Sequence, residues 1–253
     1  VGATQITYEA LNNFYLKGVT AMELCVPDVP VGEIDRLVAE LNDKGFGCIP
    51  NYLQPKDLQR MQSFVTSAVQ RSNNEYVHFN GPDEVSGSGL DELAHSPRFK
   101  KLIYELYERG TGKKAPEQQS FYQVLRCLSG QSGQKNSMIF HYDSYIVTAL
   151  VPIQIPNSGM AGDLLMYPNK RTVRKTYLSN AVDKVLLDNP LSQRLLRASV
   201  NTKRFSPTRI KMLPGHLYFF WGYRSIHTNE PCDADKVRAT ALFHFANPHG
   251  KAN

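Results

Sequence analysis

Two short spacings place groups of complementary chemistry on one side of an extended backbone. His141-Tyr142-Asp143 closes a run that reads as a strand. Residues i and i+2 of a strand share a face, so this imidazole and carboxylate can converge on one point. Taken alone, such a pair is more often a hydrogen-bonded His–Asp couple than a catalytic one. It gains weight from His227, which ends the run Pro214-Gly215-His216-Leu217-Tyr218-Phe219-Phe220-Trp221-Gly222-Tyr223-Arg224-Ser225-Ile226-His227. Arg238 follows and opens the apolar strand Val237-Arg238-Ala239-Thr240-Ala241-Leu242-Phe243, with Thr240 on its own face. An arginine at the start of a core strand is costly unless it meets an anion.

These residues need a frame. The first 118 residues read as helical support. Ile34, Leu37, Val38 and Leu41 recur at helical spacing with Gly45 as a stop, and Pro55 opens a second stripe through Leu58, Met61, Phe64, Val65 and Ala68. Ser96-Pro97 opens a third helix over Phe99, Leu102, Ile103 and Leu106, which Gly110 is expected to end. Asn80–Gly89, polar and glycine-rich, is expected to be a mobile loop. From about residue 119 to 247 the pattern turns β. The expected strands are Ser120–Leu128, Met138–Tyr142, Tyr145–Ile155, Asp163–Tyr167, Arg209–Leu213, His216–Trp221 and Val237–Ala246. A helical pair over about 176–200, restarted at Asn189-Pro190, interrupts them. The expectation is one domain, 1–253, of α+β class: a mainly β sandwich or barrel with flanking N-terminal helices and a helical insertion over 170–211.

That insertion is basic. Residues 170–224 hold twelve Lys and Arg against two Asp, whereas the rest of the chain holds seventeen basic against twenty-one acidic residues. The overall net charge of +6 hides this division. Such a concentration points to an anionic partner or to a solvated helical face. No helix-turn-helix, RRM or zinc-finger pattern accompanies it, so nucleic acid is not expected. No apolar run approaches the ~18 residues of a membrane span. The start, Val1-Gly2-Ala3-Thr4, shows no leader pattern and reads as a trimmed end. Cys25, Cys48, Cys127 and Cys232 form no CxxC and no zinc-ligand spacing, which fits a reducing, cytoplasmic compartment.

His-x-Asp, a distant His, and Arg-x-Thr ten or so residues later resemble the non-haem Fe(II)/2-oxoglutarate-dependent dioxygenases. The flanks Met160–Pro168 and Pro214–His227 resemble the phytanoyl-CoA-hydroxylase-like branch, over about half the chain (119–247). The chain departs from that branch at Asn169-Lys170-Arg171, where Gly-Ser-His is usual. The resemblance implies a double-stranded β-helix (a jelly roll, cupin-like) and Fe(II) held by His141, Asp143 and His227. Two imidazoles and a carboxylate on one face of an octahedron suit that ion and leave three positions open. It implies 2-oxoglutarate and O2 as cosubstrates, with Arg238 as the fork for the far carboxylate and Thr240 as a donor. Succinate and CO2 would be released. Asp143 favours hydroxylation or desaturation, because halogenases of the family vacate that position.

Around this set, Tyr122 could donate to the cosubstrate and Arg126, on the same strand face, could meet an anionic substrate. Tyr145, Trp221 and Arg224 flank the ligands and could wall the pocket. His216 and His244 have no evident acid partner and read as core or surface histidines; His78, His95 and His249 read as loop residues. The expected substrate is an anionic small molecule or an acidic sugar or lipid-linked headgroup, with the basic insertion as a lid. An alternative use of that insertion is peripheral contact with an anionic membrane. The competing reading is a non-catalytic, cupin-like metal-binding module, which has no need of the Arg238 and Thr240 anchor.

Overall fold

The computed structural model describes residues 24–116, 119–174, 176–202 and 205–249. Lys175, Lys203 and Arg204 of the basic insertion lie outside the described residues. Among the described residues no helix is long and apolar enough to cross a membrane, and the four cysteines are unpaired.

The chain runs α1 (Val31–Asp43), β1 (Phe46–Ile49), α2 (Pro55–Arg71), β2 (Val77–Asn80), a 3-10 turn (Asp83–Val85), α3 (Leu90–His95), α4 (Pro97–Thr111), β3 (Tyr122–Leu128) and α5 (Gly130–Lys135). It continues with β4 (Val147–Gln154), β5 (Leu164–Tyr167), α6 (Tyr177–Asp188), α7 (Pro190–Ser199), β6 (Thr208–Ile210), β7 (Leu217–Trp221), β8 (Ile226–Asn229) and β9 (Arg238–Phe245). The strands form a major sheet, β1-β7-β4-β9-β3-β2, and a minor sheet, β6-β5-β8. All named pairs are antiparallel. Facing each other, the two sheets make the double-stranded β-helix, with a mostly antiparallel β-sandwich core.

The helices close the outer face of the major sheet. α1 buries Ile34, Leu37 and Leu41, and α4 buries Phe99, Leu102, Ile103, Leu106 and Tyr107. With both faces covered, β4 and β9 are buried almost throughout, which explains their near-continuous apolar sequence. The opposite face of β4, β7 and β9 meets the minor sheet through Leu150, Phe220 and Leu242, packed on Leu164, Met166 and Ile210.

Four expectations need correction. Gly110 does not end α4; the helix runs to Thr111 and Gly112 caps it at φ 66°. Gly110 is glycine because the Trp221 ring lies on it, and a Cβ would strike that ring. Asn80–Gly89 is ordered: Val85 and Ser88 are buried, and Glu84 and Asp91 carboxylates accept the backbone N–H groups of Asn80, Gly87 and Gly89. Met138–Tyr142 is not a full strand but an isolated bridge, His141 to His227. His78 lies in β2, stacked on Tyr76, and His95 is the last residue of α3; neither lies in a loop. β1, β2 and β8, four residues each, are further strands outside the runs expected from the pattern. The helical pair is present as α6 and α7, with Thr176 and Asn189 side chains capping their N-termini.

Candidate metal centre

His141 and His227 meet through reciprocal backbone hydrogen bonds, N to O at 3.0 Å each way. Asp143 is placed by its N–H on the Gly222 carbonyl, 3.0 Å. Gly222 has no Cβ because one there would strike the Asp143 carboxylate and the Thr148 hydroxyl. One donor atom from each of His141, Asp143 and His227 lies within 4.8 Å of the others. The Nε2 atoms of His141 and His227 sit 3.6 and 3.4 Å from Asp143 Oδ1.

The remaining ring nitrogens fix these orientations. Nδ1 of His141 donates to the Ile139 carbonyl (2.9 Å) and Nδ1 of His227 to the Ser225 carbonyl (3.1 Å). Each Nε2 is therefore the atom turned to the shared centre, the arrangement of a metal-ligating histidine. Asp143 Oδ2 is engaged separately: Thr148 Oγ1 donates to it at 2.5 Å and stands 3.0 Å from His244 Nδ1. Oδ1 is left for the centre. The donor chemistry thus fits a divalent ion such as Fe(II).

Electrostatics agree. Burial alone would raise the Asp143 carboxyl, but His227, His244 and His141 around it hold it well below the usual carboxylate range. Desolvation and the His227 imidazole push His141 down to about 4, so it is neutral near pH 7. Burial opposes a charge on His227, yet Asp143 outweighs it and raises this histidine. A metal needs the neutral imidazole, so metal binding competes with protonation of His227.

The cavity between the sheets is lined by His141 and His227 toward one end and by Arg238 with Thr240 toward the other. Arg238 is buried, with Nε donating to the Gly162 carbonyl at 2.6 Å and Nη2 only to Met212 Sδ at 3.7 Å. Gly162 permits that approach, since a Cβ would strike the arginine stem. Among the described residues no carboxylate pairs with Arg238. The buried Thr240 hydroxyl has no partner either. Burial and the Arg126 charge hold the Arg238 guanidinium down at about 10. A buried cation and an orphaned hydroxyl side by side fit an incoming carboxylate.

Arg126 stands cross-strand from Thr240 and also lines the cavity. Its Nη2 donates to the Asn136 carbonyl at 3.1 Å and it has no acid partner among the described residues. Tyr145 packs flat on Tyr122, 5.6 Å between rings and 6° between planes, with His244 stacked on both. Tyr122 does not reach the anchor: it is paired with His244, whereas Arg238 is paired with Leu128 at the other end of β3. Its hydroxyl points to Asn80 Oδ1, 3.4 Å.

Trp221 and Arg224 do not wall the pocket. Strand alternation turns Phe220 inward, 4.7 Å from the His227 ring, and Trp221 outward beneath α4, where Nε1 donates to Asn42 Oδ1 at 3.0 Å. Arg224 reaches the same Asn42 oxygen. His244 also departs from expectation. It is buried, and Asp143 Oδ2 lies 3.6 Å from its Nδ1. The signal was available: Arg238, Thr240, Leu242 and His244 share one parity on β9.

No protein-family model and no curated protein matches this chain. Solved structures do. A prolyl hydroxylase from Trichoplax adhaerens, in complex with a hypoxia inducible factor oxygen degradation domain peptide fragment, covers 97% of this chain and 96% of its own at 17% identity and TM-score 0.51. The non-heme alpha ketoglutarate dependent epimerase SnoN from nogalamycin biosynthesis covers 86% and 84% at 14% identity and TM-score 0.54. A 2OG-Fe(II) oxygenase family oxidoreductase from Burkholderia pseudomallei covers 89% and 97% at 11% identity and TM-score 0.51. At these identities the likeness is one of fold: these neighbours are 2OG-Fe(II) oxygenases, and this chain shares their architecture. SnoN has been solved with Fe3+ and alpha ketoglutarate bound.

Proposed function

We propose that this chain is a non-haem Fe(II)/2-oxoglutarate-dependent oxygenase, a hydroxylase acting on an anionic substrate. The observation that carries it is the pairing within one cavity of a His141, Asp143, His227 donor set with an acid anchor that has no acid. Iron with 2-oxoglutarate and O2 supplies the oxidising power, and succinate and CO2 leave. The residues do the rest. His141, Asp143 and His227 would hold the ion, and the cavity beside them would admit the cosubstrate. Arg238 and Thr240 take the far carboxylate of 2-oxoglutarate, worth most in a site from which water is excluded. Leu150, Leu164, Leu242 and Phe220 line the space between and keep it dry.

Arg126 gives the cavity a second cation for an anionic substrate, and the Tyr122–Tyr145 pair offers a flat wall beside His244. The phytanoyl-CoA-hydroxylase-like branch rests on the segments 160–168 and 214–227. Titration of the protein with Fe(II) and 2-oxoglutarate without oxygen is expected to give a weak visible charge-transfer band. Air and a screen of acidic metabolites are then expected to release succinate. No band and no succinate would favour the non-catalytic metal-binding module.

The lid reading narrows. Arg171 and Arg174 are paired with Asp183, Arg209 with Glu230, and Lys184 donates to Ser144. Within 170–224, the exposed cations without such partners among the described residues are Lys170, Arg194 and Lys211. Replacing Lys170 and Arg194 by Gln is expected to raise substrate KM and leave uncoupled 2-oxoglutarate turnover intact. Membrane contact is a second proposal, supported by exposed Leu178, Val182, Val185 and Leu186 on one face of α6. Co-sedimentation with anionic vesicles that survives Leu178→Ser with Val185→Ser would reject it.

A further inference from the structure

The segment that carries His141 and Asp143 borders β8 of the minor sheet, and among the described residues no strand pairs with its other side. On one side Met138 N–H donates to the Asn229 carbonyl at 2.9 Å and His141 bridges His227. In an antiparallel strand the next residue turns its N–H and C=O the other way. That residue is Phe140, fully buried, and its backbone polar groups require partners.

Gln193 of α7 supplies both. Its Oε1 accepts from Phe140 N–H at 3.0 Å, and its Nε2 donates to the Phe140 carbonyl at 2.7 Å and to the Leu187 carbonyl at 2.9 Å. The carboxamide stands in for a peptide unit of the missing strand. Gln193 is itself buried, one of three buried residues on the two helices, with Asn180 and Leu187. The insertion therefore does not adhere through an apolar face; its exposed leucines point away.

The other contacts fall on Met138 through its carbonyl and on Tyr142 and Ser144 through their side chains. Arg197 Nε donates to the Met138 carbonyl, 3.0 Å. The Arg171 guanidinium lies over the Tyr142 ring at 3.8 Å and is held by Asp183 of α6 at 2.9 Å. Lys184 Nζ donates to Ser144 Oγ at 2.7 Å. So 138, 140, 142 and 144 are gripped from the insertion, while 141 and 143 between them face the metal centre.

We infer that the α6–α7 insertion is the buttress of the ligand-bearing edge, and that Gln193 is the positioning residue that holds His141 on the metal. The metal half of this inference rests on the oxygenase reading; the grip on 138–144 does not. A side chain that positions a ligand typically affects metal affinity 10–100-fold.

The test compares the full chain with Gln193→Ala, Gln193→Glu and Ala198→Ser, an exposed control on α7. Hydrogen–deuterium exchange on the metal-free proteins is expected to show peptides spanning 138–144 exchanging about 10-fold faster in both Gln193 variants. Peptides of α4 and β9 and the control are expected to match the parent. Titration with Co(II), followed by its visible absorption, is expected to give a Kd at least about 10-fold weaker for Gln193→Ala. Gln193→Glu keeps the shape and the acceptor but loses both donated bonds, and it carries the test should the alanine variant fail to fold. Unchanged exchange at 138–144, or unchanged Co(II) affinity, overturns the inference. A parent protein that binds no Co(II) instead overturns the metal-centre reading, and the exchange data still decide the grip.

Discussion

The two ends of the cavity are built on opposite plans. Arg238 and Thr240 lie on β9, hydrogen-bonded along its length to β3 on one side and β4 on the other. Their backbone is fixed by the sheet, and their side chains are left with little or no partner. His141 and Asp143 lie on an edge joined to β8 by an isolated bridge. Their side chains are fully oriented, yet the backbone of their neighbours Met138 and Phe140 depends on side chains of an insertion. The anchor end waits for a ligand within a rigid frame. The metal end is a set of arranged donors on a frame that must itself be held.

The largest expected effect falls on the donors. Asp143→Ala removes the carboxylate and leaves two imidazoles and a buried Thr148 hydroxyl without their acceptor. Metal affinity is expected to fall more than about 100-fold, beyond the range of a supporting residue, as read by Co(II) titration. Arg238→Met comes next. It should weaken 2-oxoglutarate binding about 100-fold, on the scale of a lost buried charged contact, and leave metal binding without cosubstrate unchanged. Because the guanidinium is buried without an acid, the melting temperature should hold or rise. A melting temperature that falls by many degrees would mean that this arginine is structural. Trp221→Phe separates frame from site again. It leaves a gap against Gly110 and frees Asn42, so stability should drop by about 1–3 kcal/mol with both ligand affinities unchanged. A selective loss of cosubstrate affinity would return Trp221 to the pocket wall.

What was legible in the sequence follows the same division. Long strands buried on both faces, β4 and β9, read clearly because their apolar runs are continuous. The ligand set and anchor came from the resemblance to a family motif; the i, i+2 spacings of His141 with Asp143 and of Arg238 with Thr240 agree with it but would not have assigned the roles alone. Trp221 misled because proximity in sequence to His227 says nothing of which face a side chain takes; Phe220, one residue earlier, has the inward parity. Gly110 looked like a stop because a glycine's absence of Cβ serves a turn and a packed indole equally. Gln193 was invisible. A glutamine on an amphipathic helix carries no mark of the backbone 53 residues away that it satisfies.

The smallest effect concerns acid. Asp183 ties α6 to Arg171 and Arg174, and its hydrogen bond from Arg174, against a modest cost of burial, holds its carboxyl below the ordinary value. A depressed carboxyl contributes stability that is present above its unfolded value and lost as pH falls through its folded one. The grip on Tyr142 should therefore be flat from pH 8 to 5 and loosen only below about 4. At neutral pH, Asp183→Asn imitates that loss. It should quicken exchange at 138–144 only about two- to threefold, a few tenths of a kcal/mol, and less than Gln193→Ala. The reason is geometric: without Asp183, Arg171 still donates to the Tyr223 carbonyl at 2.7 Å and still lies between the Tyr142 and Tyr223 rings. If Asp183→Asn loosens 138–144 more than Gln193→Ala does, the ion pair and not the carboxamide holds the ligand-bearing edge.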